Sequence, residues 1–282
     1  MTMHSYDTLS PLSGFVFPVY ASPPVVDHAR QLAQRFVHAH TYLSTLLEIP
    51  LDIRLALLSQ QDWPHYVPMP FYGVAMYDHV HRTVVSGAEP TTFWEPIVEQ
   101  LHHTAPDLLA SLRSVYATPQ GNLDLTPHVE LWMIHDLGHA CHAHHDYWFP
   151  RKWLMELFAS LCLYTYIADQ EPDLLPITET FFLVLHHLPP ALVAHPTLAD
   201  FETHYITLPL DNYLWFSGHF LHLAQTLYRH FGSRVLVQLW QLFVLNRMAD
   251  VSDAELIQQV QNVDPDLATL LGAFQDQYTA DA

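Results

Sequence analysis

The sequence predicts a mostly helical α+β fold with a small N-terminal sheet. Three observations carry that prediction. Apolar residues recur at helical spacing almost without break from Thr92 to Gln277. Runs patterned as strands are confined to the stretch before Thr92. Half of the residues (50%) are hydrophobic and only 14% are charged, which provides for a sizeable core and argues against disorder.

Taken in order, residues 1–22 are rich in Ser, Pro and aromatics and read as an extended arm. Pro23-Pro24 opens a helix, and Val25 to Leu47 continues it with apolar residues at helical spacing. Leu51 to Leu58 alternates as a strand does, with Ile53, Leu55 and Leu57 set against Asp52, Arg54 and Ala56. Val67 to Tyr77 contains two prolines and reads as an edge strand or an irregular extended segment. Arg82 to Ser86 is a short strand ending at Gly87. Together these runs predict a small, mostly antiparallel sheet. Helices are then expected at Trp94–His103, Pro106–Tyr116, Pro127–His144, Arg151–Ala168, Leu174–His187, Asn212–Phe231, Arg234–Asn246, Asp253–Asn262 and Pro265–Gln277. Pro189-Pro190, Pro196 and Pro209 separate some of them. No linker-like run divides the chain. An N-terminal α/β part (1–91) and a helical part (92–282) are expected to pack as one unit.

Charge narrows the partners. Acidic residues outnumber basic ones 29 to 10, the formal charge is −19, and Lys152 is the only lysine. Such a surface repels phosphate backbones and disfavours nucleic acid. Its ordinary role is solubility. The two cysteines, Cys141 and Cys162, both fall in helical segments and read as buried free thiols. Residues Met1 to Pro11 lack a basic region followed by an apolar run, and no stretch of about 18 apolar residues escapes charge or proline. The expectation is a soluble, cytoplasmic protein that meets a peptide or small-molecule substrate and neither a membrane nor a nucleic acid. Its oligomeric state is left open.

The chemistry concentrates in His135-Asp136-Leu137-Gly138-His139 and Trp153-Leu154-Met155-Glu156-Leu157-Phe158-Ala159-Ser160. Histidines four apart share one helix face, with side chains about 5–6 Å apart. Both imidazoles then reach one metal ion. A helical hairpin turning around Tyr147–Pro150 brings Glu156 across from them as third ligand. Two imidazoles, one carboxylate and an open fourth position suit a catalytic zinc. The plain alternative is a pair of satisfied histidines on an amphipathic helix, a real consideration in a chain with 22 histidines.

These two segments resemble the gluzincin superfamily of zinc metallopeptidases. Trp153, Glu156, Phe158, Ala159 and Ser160 fall on the W-x-N-E-G-F-A-S helix of its aminopeptidase-type members. The resemblance covers residues 135–160 and implies a zincin-like fold, zinc held by His135, His139 and Glu156, and Asp136 in the place of the general base. Asp136 departs from the glutamate of His-Glu-x-x-His. Its carboxylate is drawn back by about 1.5 Å, one carbon–carbon bond, whereas a general base must lie within about 2.6–3.2 Å of its proton or act through a water. Met155-Glu156-Leu157 replaces N-E-G, so recognition of a free α-amine is not implied. Gly73-Val74-Ala75-Met76 falls short of the exopeptidase strand motif.

Alternatives sit beside these residues. His145 has the metzincin spacing from His135, but that pattern needs glycine where His142 stands. His142, His144, His145 and Asp146 form a dense group that reads either as a second, adventitious metal site or as a polar helix end. Ser160 reads as a hydrogen-bond partner for a ligating imidazole or as a small packing residue. Gluzincin-like chemistry also implies an oxyanion donor from a later element. Candidates are His204, Tyr205, Tyr213, His219 and His222, and Tyr213 is the choice; Trp215, Phe216 and Phe220 read as core. The leading expectation is a zinc-dependent hydrolase of peptidase type. A degenerate binding or regulatory protein, and a non-peptidase metalloenzyme on the same triad, are the alternatives.

Overall fold

The computed structural model describes residues 6–143, 149–245 and 251–279. Its N-terminal region holds strands β1 (Ser10–Leu12), β2 (Val19–Ala21), β3 (Arg54–Leu58), β4 (Met76–Asp78) and β5 (Thr83–Gly87), with helices α1 (Val26–Leu47) and α2 (Trp63–Tyr66) between them. The sheet order is β1-β2-β3-β5-β4. The outer pairs β1–β2 and β4–β5 are antiparallel, but β2–β3 and β3–β5 are parallel.

This corrects the expectation of a mostly antiparallel sheet. The cause lies in the segment read as an extended arm, which contributes β1 and β2. With β2 in place, α1 is a crossover helix, and a strand–helix–strand crossover returns the chain in the same direction. β3 also differs from its alternating pattern. Leu55 and Leu57 enter the main core, while Ala56 and Leu58 enter a smaller cluster with Tyr6, Leu9, Trp63 and Val85. A strand buried on both faces is what parallel neighbours and two covering layers produce. The β4–β5 turn is built by Asp78, whose Oδ1 accepts the N–H groups of Val80 (2.9 Å) and His81 (3.3 Å).

Helices follow as expected: α3 (Glu95–Thr104), α4 (Pro106–Tyr116), α5 (Thr126–Ala143), α6 (Lys152–Gln170) and α7 (Leu175–His186). The later ones are α8 (Leu198–His204), α9 (Leu210–Phe231), α10 (Arg234–Leu239), α11 (Asp253–Val263) and α12 (Pro265–Thr279). A mostly helical α+β fold is therefore what the chain adopts. α8 was not anticipated, because Pro196 and Pro209 crowd a short polar segment. Thr197 starts it by accepting the Asp200 N–H at 3.1 Å. α11 begins with a capping box between Ser252 and Glu255. Among the described residues, no helix is long and apolar enough to cross a membrane.

Two helices matter most for function. α5 is buried all round from Leu131 to His142 and α6 from Trp153 to Ile167. A helix buried on every side lies at the centre of a core rather than on its surface. Gly138 is where the two meet. A Cβ there would stand 2.8 Å from the Ala159 Cα and 3.1 Å from the Cys162 Cβ. Polar groups on these helices must find partners, since burying them unpaired is costly.

Candidate metal centre

His135, Asp136 and His139 lie on α5 and Glu156 on α6. The three buried candidates His135, His139 and Glu156 bring their ligand atoms within 4.8 Å of one another. His135 Nε2 lies 3.5 Å from Glu156 Oε2, and His139 Nε2 lies 3.4 Å from Glu156 Oε1. Around a tetrahedral zinc with bonds near 2.05 Å, ligand atoms are separated by about 3.3–3.4 Å. The donor set suits that ion, and the two histidines stand at about this distance from the carboxylate, each beside a different oxygen. Each histidine is 8% exposed and Glu156 only 1%.

Two tyrosines bond the same two Glu156 oxygens that the histidines approach. The Tyr205 hydroxyl donates a short hydrogen bond to Oε1, and Tyr213 donates to Oε2 at 3.0 Å. Burial, and then the Glu156 carboxylate, push both phenols well above their ordinary value, so they remain donors. Burial alone pushes the Glu156 carboxyl up. His139, His135 and Tyr205 overcome it and hold the group at about 2, so it is a carboxylate at neutral pH. His139 feels the converse. Desolvation pulls its pKa down, and Glu156 and Asp136 raise it beyond that loss.

His139 is also fixed at its second nitrogen, with Nδ1 3.1 Å from His142 Nε2. When Nδ1–H donates there, the Nε2 lone pair is the one that faces Glu156. Such a bond sets tautomer and ring orientation in metal sites. His142 is wholly buried. Its spacing of three from His139 was the available signal, and reading it as part of a polar helix end obscured it. His144, His145 and Asp146, the other members of that group, lie outside the described residues, as does the hairpin turn at Tyr147.

Asp136 sits differently. Its Oδ2 is 3.9 Å from His135 Nδ1, beyond hydrogen-bonding range. It lines a cavity of about 20 Å³ together with His135, Ser160, Tyr213 and Ser217. That volume holds a water but not a substrate. Val74 and Ala75, from the weak strand motif, close the same cavity.

Three of the oxyanion candidates, His204, His219 and His222, are placed elsewhere. His219 lies in a histidine cluster between α7 and α9, its Nδ1 2.7 Å from that of His186, with the His222 ring stacked on His186. His204 faces His195, with ring centroids 4.4 Å apart. Tyr205, one of five candidates in the sequence, reaches Glu156 because α8 ends beside α6; no local pattern marks it out. Trp215, Phe216 and Phe220 are core residues. Cys141 and Cys162 are buried free thiols, raised by burial. Compared with known proteins, the chain matches no family model and no curated protein.

Proposed function

We propose that this chain is a zinc-dependent hydrolase of peptidase type, with His135, His139 and Glu156 as the protein ligands. The observation that carries the reading is the convergence of two imidazoles and a carboxylate, from two buried helices, with ligand atoms within 4.8 Å of one another. Bound zinc supplies Lewis acidity toward a carbonyl and lowers the pKa of a coordinated water. The chain's own groups supply the rest. Asp136 stands in the cavity as the carboxylate able to take a proton from a water held there. Tyr213 lines the same cavity, and its one hydroxyl proton, given to Glu156 Oε2 at 3.0 Å here, must turn away from that carboxylate to serve a developing oxyanion. Tyr205 keeps Glu156 in place. The resemblance to gluzincin peptidases agrees with this assignment, and a cytoplasmic setting suits the two free thiols.

A second reading has its own observation. A cavity of about 20 Å³ admits no peptide unless the site opens, which favours a protein that keeps the metal and has lost turnover. Metal content by mass spectrometry, beside peptide-library hydrolysis, separates the two. The hydrolase reading expects a zinc that disappears in Glu156→Ala, and cleavage that disappears in Asp136→Asn. Glu156-dependent zinc without cleavage favours the binding protein. Metal retained in full by Glu156→Ala overturns the centre itself.

A further inference from the structure

We propose that His195, Asp200 and His204 form a second, solvent-accessible site for a divalent ion of the zinc class, and that its occupancy pins α8 and thereby Tyr205 against Glu156.

The ligand atoms of these three residues all lie within 4.8 Å of one another, and each residue is half-buried. Asp200 and His204 are four apart on α8 and so share a face. His195 approaches from the preceding loop, and its backbone is already gripped. Its N–H donates to Asn212 Oδ1 at 3.0 Å, and Asn212 Nδ2 donates to its carbonyl at 2.8 Å. Asn212 is fully buried. The loop ligand is thus anchored by a rigid element rather than left to chain entropy. Thr197 Oγ1 donates to Asp200 Oδ2 at 2.8 Å, which orients the carboxylate and leaves Oδ1 for an ion. Two imidazoles with one carboxylate form a mixed N/O set that suits zinc, cobalt or nickel and leaves coordination positions for water. The strongly negative chain favours cations at such a place.

α8 is short, yet it touches the first centre at two points. Tyr205, the next residue after His204, holds Glu156. Glu202 accepts the Trp153 N–H at 3.0 Å with its carboxylate and the Lys152 ammonium at 2.6 Å with its carbonyl, at the start of α6. An ion that ties the end of α8 to the Asn212-anchored loop therefore holds both the tyrosine on Glu156 and the first turn of its helix. By linkage, each ion then tightens binding of the other.

Occupancy of the second site does not require the proposed function; the coupling rests on it. The test titrates metal-free full-length protein with Zn²⁺ and with Co²⁺. It measures metal retained through gel filtration and follows the cobalt absorption bands. Wild type is expected to keep about two ions, Glu156→Ala and His204→Ala about one each, and the double variant none. His204→Ala is further expected to weaken the Glu156-dependent ion about fivefold or more. His195→Asn, which leaves the backbone clamp intact, is the second variant should His204→Ala not fold, and it is expected to give the same loss. Metal retained in full by the folded variant, or an ion at these residues held only at millimolar concentration, overturns the second site. Unchanged affinity of the Glu156-dependent ion overturns the coupling. If wild type and Glu156→Ala bind equally while the α8 variants lose metal, the functional reading fails and the second site stands.

Discussion

Single residues do separable work around Glu156. His135 and His139 face it with one ring nitrogen each and would supply lone pairs to the proposed ion, and Tyr205 and Tyr213 orient the carboxylate. His142 acts through His139. His142→Leu is therefore expected to leave the ligand set intact and weaken zinc about 10–100-fold, measured by competition with a chelating dye. Under the hydrolase reading, Tyr213→Phe is expected to lower kcat about 10²–10³-fold and, because Glu156 loses a hydrogen bond, to weaken zinc as well. Away from the centre, His128 is a neutral imidazole packed among Phe181, Phe182 and Trp132, with Nδ1 2.9 Å from the Ile177 carbonyl. Burial lowers its pKa from 6.5 to about 4. The unfolded chain thus binds this proton first as pH falls. Its contribution to stability is full above about pH 6.5 and is lost down to about pH 4, at up to about 1.4 kcal/mol per pH unit. Urea midpoints across that window are expected to fall less steeply with acid in His128→Phe than in wild type.

At the scale of elements, the centre depends on how closely α5 and α6 approach. Gly138 permits that approach, because a methyl group there would press on the Ala159 backbone. Gly138→Ala is expected to cost about 1–3 kcal/mol by overpacking and to weaken zinc binding as Glu156 is displaced. Gly272 on α12 gives the opposite case. Its nearest neighbour to an added Cβ is the Ile257 Cγ2 at 3.9 Å, so Gly272→Ala is expected to stabilise by about 0.5–1 kcal/mol. Thermal melts of the two variants check both signs. The arrangement of α8 is an element-level feature as well. Its short length and polar sequence hid it, yet it delivers Tyr205 to α6 and caps the first turn of that helix.

For the whole molecule, one hydrophobic cluster extends from Leu12 in β1 to Tyr278 in α12. Sheet and helices share it, and α5 and α6 run through it. Unfolding followed by tryptophan fluorescence and by far-ultraviolet circular dichroism is therefore expected to give coincident transitions. Zinc that binds the folded chain alone is expected to raise the melting temperature in proportion to the logarithm of its concentration. At 100 times Kd the gain is about 2.7 kcal/mol, and a chelator reverses it. Because neutral imidazoles bind the metal, that gain shrinks as pH falls through the histidine range.

The helical character, the extents of α5 and α6 and the identities of His135, His139 and Glu156 were legible in the sequence. Periodicity reports which face of a helix is apolar, and the spacing of four places two imidazoles side by side whatever the fold does. Strand direction was not legible, because hydrogen-bonded partners of β3 lie far along the chain and only the position of β2 makes α1 a crossover. The tyrosine pair on Glu156 was decided by tertiary structure too. Tyr205 and Tyr213 are separated from Glu156 by 49 and 57 positions, and only the packing of α8 and α9 against α6 turns their hydroxyls toward one carboxylate. The sequence alone thus determined most of the helices and marked His135, His139 and Glu156 as candidate ligands, which are local properties. The sheet's mixed direction, the closure of the cavity and the partners of Glu156 came from long-range packing, which no local pattern encodes.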